Sequence, residues 1–323
     1  MQLDPALLSK PPSEETLALN ERIVRLIDSL PDKWSVPPEE VRAARRAGKS
    51  LLPIEALNPA AEVRRIDGPR GPIELRLIRP AGDIRGAYLF IHGGGWVLGT
   101  PDQQDERLTR LADACGLLVV STQYRLAPEY PYPAGPDDCE RAALWLLEEG
   151  RREFGVDWFA IGGESAGGHL SAVTLLRLRD RHGAPGFDAA NIIAGCFDLS
   201  MTPSARAFGN ENLVLTTRDV EMFVRHFLLH GGEVGDPDIS PLYADLRGLP
   251  PALFTIGTRD CLLDDSLFMA ARWTAAGNHA EVAAYPGGCH MFHVFFETAM
   301  AQEGLGRMEA FLNAQRAGDG AAR

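Results

Sequence analysis

The chain has 323 residues, of which 45% are hydrophobic and 24% charged, and a formal charge of 32 − 44 = −12 at neutral pH. This is the composition of a folded globular chain, long enough for one large core or two modest ones, and it excludes extended disorder. The acidic balance, without any Lys/Arg-rich run, argues against a nucleic-acid surface or an anionic membrane and leaves a small molecule as the expected partner, with a homodimer left open.

The N-terminus, MQLDPALLSKPPSEE, has neither a basic n-region nor an apolar h-region, and no stretch approaches eighteen consecutive apolar residues. A cytoplasmic protein without stable membrane insertion is therefore expected. Cys115, Cys139, Cys196, Cys261 and Cys289 are odd in number and form no CxxC pair, so reduced thiols are expected rather than a disulfide framework or zinc site. No metal or other cofactor is called for.

In chain order, Ser13 is placed to N-cap a helix with Glu14 and Glu15 in its first turn and Leu19, Ile23, Leu26, Ile27 and Leu30 along one face. That stripe must cover something. A second short helix follows over PPEEVRAARRAG, and no strand is recognisable before residue 60. Residues 1–55 therefore read as a helical cap on an α/β body spanning 56–323, with an insertion near 200–235 contributing to the cap.

From residue 60 the pattern alternates. AEVRRIDGP predicts an edge strand, and further strands are expected at 73–80, 86–93, 117–124, 158–163, 192–197, 252–258 and 280–285. Several are continuous apolar runs, as strands buried on both faces of a parallel sheet require. Between them, TPDQQDERLTRLADACG predicts a helix capped by Thr100 with Pro101 at its first position and a stripe of Leu108, Leu111, Ala112 and Cys115, ending at Gly116. Other helices are expected at 134–150, 166–182, 213–230, 263–277 and 291–315. The fold class is α/β: an open, mostly parallel sheet of about eight strands with helices on both faces.

In such sheets ligands bind beyond the carboxyl ends of the strands, so the loops there carry the chemistry. WFAIGGESAGGHL sets Gly163, Ser165 and Gly167 as G-x-S-x-G between a strand and a helix, the context of a nucleophile elbow. A chance match is the competing reading, and the strand-to-helix setting argues against it. A serine nucleophile needs a base and an acid that orients it, in the order Ser, Asp, His on this fold. Asp260 stands at the exit of the next-to-last strand and His290 in a glycine-bearing loop after the last. Asp264 and Asp265 read as helix-opening carboxylates, and His293 as a helical residue.

FIHGGGWVLGT leaves a buried strand through three glycines. Side-chain-free residues there would let backbone N–H groups of Gly94 and Gly95, with that of Ala166, approach a carbonyl oxygen on which charge develops. His92 is expected to pin the loop. No phosphate-loop pattern is present. Trp96 and Met291, next to these motifs, are candidate substrate contacts.

HGGGW, YRLAPEYPYPAGPDD, GESAGGHL, GTRDCLLDDS and YPGGCHMF, in that order, resemble the hormone-sensitive-lipase family of α/β-hydrolases, the bacterial family IV esterases, over about residues 60–315. The resemblance implies the α/β-hydrolase fold, a helical N-terminal cap, a Ser165–Asp260–His290 triad, an oxyanion hole of Gly94, Gly95 and Ala166, and hydrolysis of short- to medium-chain esters without a cofactor. Glu164, GCFDLS and Met291 depart from the family's usual residues and bear on substrate shape. Two alternatives stand beside the esterase: a binding-only receptor, like the plant gibberellin receptor that resembles this family but lacks the histidine, and an amidase or peptidase using the same triad.

Overall fold

The protein is described here by a computed structural model, which covers residues 1–50, 52, 55–183 and 186–322. Part of the expected cap segment, at 51, 53 and 54, lies outside the described residues. One eight-stranded sheet organises the chain. Its strands are β1 (Glu62–Gly68), β2 (Gly71–Ile78), β3 (Gly86–Ile91), β4 (Leu117–Gln123), β5 (Phe159–Glu164), β6 (Ala189–Ile193), β7 (Ala252–Gly257) and β8 (Ala280–Tyr285), in the order β1-β2-β4-β3-β5-β6-β7-β8. β2 runs antiparallel to β1 and β4, and all pairings from β4–β3 through β7–β8 are parallel.

Burial follows position. Every residue of GAYLFI in β3, FAIGGE in β5 and ALFTIG in β7 is buried, whereas the edge strand β8 alternates along AEVA between buried and partly exposed residues. Strands covered on both faces leave no room for a polar alternation. At the free edge of β8, Gln2 donates its N–H to the Ala280 carbonyl at 2.9 Å and accepts from the Val282 N–H at 2.8 Å.

The helices are α1 (Ala6–Ser9), α2 (Glu14–Ser29), α3 (Pro38–Arg46), α4 (Asp105–Cys115), α5 (Ala134–Phe154), α6 (Ala166–His182), α7 (Pro203–Ala207), α8 (Thr217–Phe227), α9 (Leu263–Ala275) and α10 (Ala299–Ala322). None among the described residues is long and apolar enough to cross a membrane.

Five details differ from the pattern read in the sequence. β6 ends at Ile193, not at 197, because Ala194 takes φ +45°, a left-handed conformation incompatible with extended pairing. It also starts earlier, since the buried Asn191 interrupts the apolar run from which the strand was read. Thr100 opens a 3₁₀ turn (Pro101–Gln104) without capping it, and α4 begins only at Asp105. α8 starts late because Val214 has φ +69° and the reciprocal cap of Thr216 and Asp219 fixes the start at Thr217. The span 291–315 is divided: Met291 at φ +61° leads into a 3₁₀ turn (Phe292–Val294), and α10 begins at Ala299, after the Thr298 hydroxyl accepts from the Ala301 N–H.

The fifth concerns α2. Ser13 caps it as expected, accepting from the Thr16 N–H at 3.1 Å. Leu19 and Ile23 are buried, but Leu26 is 41% exposed, and Thr16 and Asn20 complete the buried face instead. Leu19 and Ile23 pack with Tyr285, Cys289, Met291 and Phe292, the turn that follows β8. Burying two such aliphatic side chains contributes about 1.5–3 kcal/mol each. The Asn20 amide donates to the Gly287 carbonyl at 2.9 Å, so a polar residue that the stripe passed over ties α2 to that turn.

Candidate active site

The carboxyl ends of β3, β5, β7 and β8 bring the distant motifs together. Ser165 stands between β5 and α6 at φ +56°, ψ −119°, a strained conformation for a residue with a β-carbon. The strain is over-determined by its neighbours. A β-carbon on Gly167 would overlap the Ile91 carbonyl and lie 2.7 Å from that of His92, and one on Gly163 would lie 2.6 Å from the Gly167 backbone. The elbow therefore closes only with glycine on both sides, and the Ser165 N–H anchors it on the Ile193 carbonyl at 2.8 Å.

The Ser165 hydroxyl lies 3.0 Å from His290 Nε2, and His290 Nδ1 lies 2.9 Å from Asp260 Oδ2 and 3.1 Å from Oδ1. An Nδ1–H donated to the carboxylate leaves Nε2 free to accept the serine proton. Asp260 and His290 are 3% and 4% exposed, so both act out of bulk water. Asp260 Oδ1 also accepts from the Leu262 N–H at 2.8 Å, which fixes the carboxylate plane. The neighbouring acids have other tasks. Asp264 accepts from the Ser204 N–H, and Asp265 accepts from the N–H groups of Phe197 and Asp198 and from the Thr202 hydroxyl, holding the loop after β6.

Gly94 and Gly95 line the same cavity as Ser165 and His290, and among the described residues their N–H groups have no acceptor. The Ala166 N–H, first in α6, has no partner inside its own helix. Three unspent donors thus surround the serine. Packing within the protein gives the glycines a reason beside the expected clearance for a substrate: a β-carbon on Gly93 would lie 2.8 Å from the Glu164 carbonyl, one on Gly94 would overlap the Leu98 carbonyl, and one on Gly95 would overlap the Phe223 ring. The run is needed for packing against the protein itself. His92 pins this loop as expected, its Nδ1 donating to the Gly93 carbonyl at 2.8 Å and its ring stacked on Tyr124.

Met291 lines the cavity, but the expected Trp96 contact is corrected by its placement. The indole is 3% exposed, stacks on Phe227 with centroids 4.7 Å apart and donates to His169 Nδ1 at 3.1 Å, away from the cavity wall. Its φ of +61° turns the side chain back into the body.

Glu164, the departure next to the nucleophile, heads a buried network that the sequence did not disclose. Its Oε2 accepts from Arg107 Nη1 at 2.7 Å and from His293 Nε2 at 3.1 Å, while Arg107 Nε also pairs with Glu55. Burial alone would raise the Glu164 pKa, but the Arg107 charge and the His293 hydrogen bond outweigh it and hold the carboxyl well below its usual range. Burial keeps His293 below the ordinary histidine value, so it donates as a neutral ring. Partners 57 and 129 residues away in sequence leave no local signal.

The cavity has a volume of about 770 Å³, within the range of small-molecule sites. Its floor is the glycine loop, Ser165, His290 and Met291. The remaining lining comes from α2, α3, α8 and the segment joining α2 to α3, including Ile27, Leu30, Trp34, Val41 and Phe223. Cys261 and Cys289 are fully buried and form no part of it. No group of three His, Cys, Asp or Glu side chains suited to a metal occurs among the described residues.

A family model described as an alpha/beta hydrolase fold matches residues 88–294. The carboxylic ester hydrolase LipN of Mycobacterium tuberculosis is 35% identical over 265 residues, covering 79% of this chain and 70% of that protein. The carboxylesterase NlhH of the same organism is 36% identical over 228 residues, 68% of this chain and 70% of that one. A solved hyperthermophilic esterase from the archaeon Pyrobaculum calidifontis superposes with a TM-score of 0.84 at 30% identity, over 94% of this chain and 99% of that one.

Proposed function

The chain belongs to the α/β-hydrolase family, and from that premise we propose that it is a serine carboxylesterase which cleaves short- to medium-chain esters through an acyl-enzyme. The observation that carries this reading is the continuous Ser165–His290–Asp260 hydrogen-bond chain at 3.0 and 2.9 Å, opening on one cavity. The order of its motifs argues for the hormone-sensitive-lipase, or bacterial family IV, branch.

In this mechanism Ser165 Oγ attacks the ester carbonyl carbon as its proton passes to His290 Nε2, and the carbonyl oxygen becomes an oxyanion facing the N–H groups of Gly94, Gly95 and Ala166. Asp260 holds the imidazolium in register. Collapse breaks the bond to the alcohol, which leaves with the proton from His290. Water then gives up a proton to the same nitrogen, attacks the acyl-serine and releases the carboxylic acid and the free hydroxyl. The helices of residues 1–55 and the 200–235 insertion confine the substrate, favouring single esters over bulk lipid. A histidine bonded to the serine is what a binding-only receptor would not need.

Turnover of p-nitrophenyl acetate and butyrate by the purified protein tests the reading. Hydrolysis with a burst of p-nitrophenol is expected, and Ser165→Ala should lower kcat by several orders of magnitude. No turnover of either ester, or turnover undiminished in Ser165→Ala, would overturn it.

A further inference from the structure

Resting on the ester-hydrolase reading, we propose that Arg45 and Gln104 form an acceptor for a negatively charged group, so that the preferred substrates are esters that carry a carboxylate or similar anion away from the scissile bond. Both residues line the cavity that holds Ser165. Arg45 reaches it from α3 and Gln104 from the 3₁₀ turn before α4.

Their polar atoms are unspent. Gln104 is only 6% exposed, and its side-chain amide makes no hydrogen bond among the described residues, which leaves its Nε2 N–H groups as the donors that an anion would meet. Arg45 is partly buried, and no hydrogen bond of its guanidinium and no carboxylate within ion-pair distance is found among the described residues; the charge that it feels is that of Glu164. Arg42, one turn earlier on the same helix, makes the contrast. It spends its donors on the Val97 carbonyl at 2.8 Å, the Ala127 carbonyl at 2.9 Å and Glu129 at 2.8 Å.

Asp28, Glu40 and Lys49 also line the cavity but are exposed to water, and its remaining charges are matched. Lys33 pairs with Asp219 at 3.0 Å, Arg218 with Asp32 at 2.9 Å, and Glu164 is already taken by Arg107 and His293. A guanidinium drawn out of water without a partner is costly, and an incoming anion removes that cost while gaining a charge-assisted bond. The rival role is a distant counter-charge to the Glu55–Arg107–Glu164 cluster, in which two carboxylates share one arginine. That role would not require open donors facing the cavity.

Two pairs of esters decide between them and locate the charge. For the acyl side, the p-nitrophenyl ester of pentanoate is compared with the mono-p-nitrophenyl ester of glutarate; for the alcohol side, 4-nitrophenyl butyrate with the butyrate ester of 3-hydroxy-4-nitrobenzoate. In wild type, kcat/KM for the anionic member should exceed that for the neutral one in at least one pair by about tenfold, the worth of one hydrogen bond to a charged group. Arg45→Met should abolish that ratio and Arg45→Lys keep part of it. The proposal is overturned if wild type favours the neutral ester in both pairs, or if Arg45→Met lowers both members equally. Failure of the esterase reading would look different, because then neither neutral ester would turn over.

Discussion

At the scale of the residue, the site is made by steric exclusion as much as by reactive groups. Ser165 holds φ +56° only because Gly163 and Gly167 yield space to carbonyl groups, and that requirement was legible in the sequence as G-x-S-x-G. The HGGG run was legible too, but this packing reason for it was not, because the ring that crowds Gly95 is Phe223, 128 residues further along, on a helix that periodicity could not dock. The distinction has a measurable consequence. Gly95→Ala should strongly depress kcat, and adding Phe223→Ala should restore part of it by removing the overlapping ring, leaving the roughly 1–2 kcal/mol cost of a left-handed alanine. Gly167→Ala should gain nothing from Phe223→Ala, since its obstruction is the β3 backbone. Steady-state kinetics on the two double mutants checks this; equal rescue of both, or of neither, would contradict the assignment.

At the scale of the element, α2 does more than close the cavity. Its buried Leu19, Ile23 and Asn20 press on the turn between β8 and His290, so in the proposed mechanism the helix positions the base as well as lining the cavity. Asn20→Ala leaves the buried Gly287 carbonyl without its donor, a loss of about 1–3 kcal/mol. We therefore expect Asn20→Ala to lower the unfolding midpoint and to reduce kcat more than it raises KM, whereas Leu26→Ala, on the exposed face, should change neither appreciably. Removal of residues 1 to about 45 should combine that loss with an altered acyl-chain preference across acetate to octanoate esters; an unchanged profile in a folded truncation would exclude α2 and α3 from the pocket. The strands and the main helices were readable because hydrophobic period and length agree there. Element ends were less so. Ala194, Val214 and Met291 take positive φ without being glycine, and no local residue signal announces such a turn.

At the scale of the whole molecule, three histidines are buried neutral. Burial pushes His92 and His169 down to about 4, and His293 is lowered as well. His169 shows why, since its Nδ1 already accepts from the Trp96 indole and Nε2 donates to the Ile239 carbonyl, leaving no lone pair for a proton. An unfolded histidine titrates near 6.5, so below that pH the unfolded chain binds protons that the folded chain refuses; the stabilisation is complete above 6.5 and is lost as pH falls toward 4. Asp265, raised by burial to about 7, works in the opposite sense over nearly the same interval, as does the raised Glu55. Two histidines displaced by similar amounts, joined by His293, outweigh them between pH 7 and 5; the depressed Glu164 adds its loss only below its unfolded value of about 4.5. The urea midpoint should therefore drop between pH 7 and 5, and His169→Gln should flatten the drop; a midpoint that rises toward pH 5 would reverse the balance. Such pairings across the sheet, like the Glu164–Arg107–Glu55 network, depend on tertiary proximity and could not be read from spacing. The residues of the proposed triad could, because each sits at a strand exit whose order the alternating pattern already gives. The most direct test of that triad is covalent: the protein is treated with a p-nitrophenyl alkylphosphonate, digested and mapped by mass spectrometry. A single phosphonyl adduct on the peptide bearing Ser165, formed with loss of one p-nitrophenolate and absent from Ser165→Ala, is the predicted result, and inactivation with the adduct on any other residue would contradict the account.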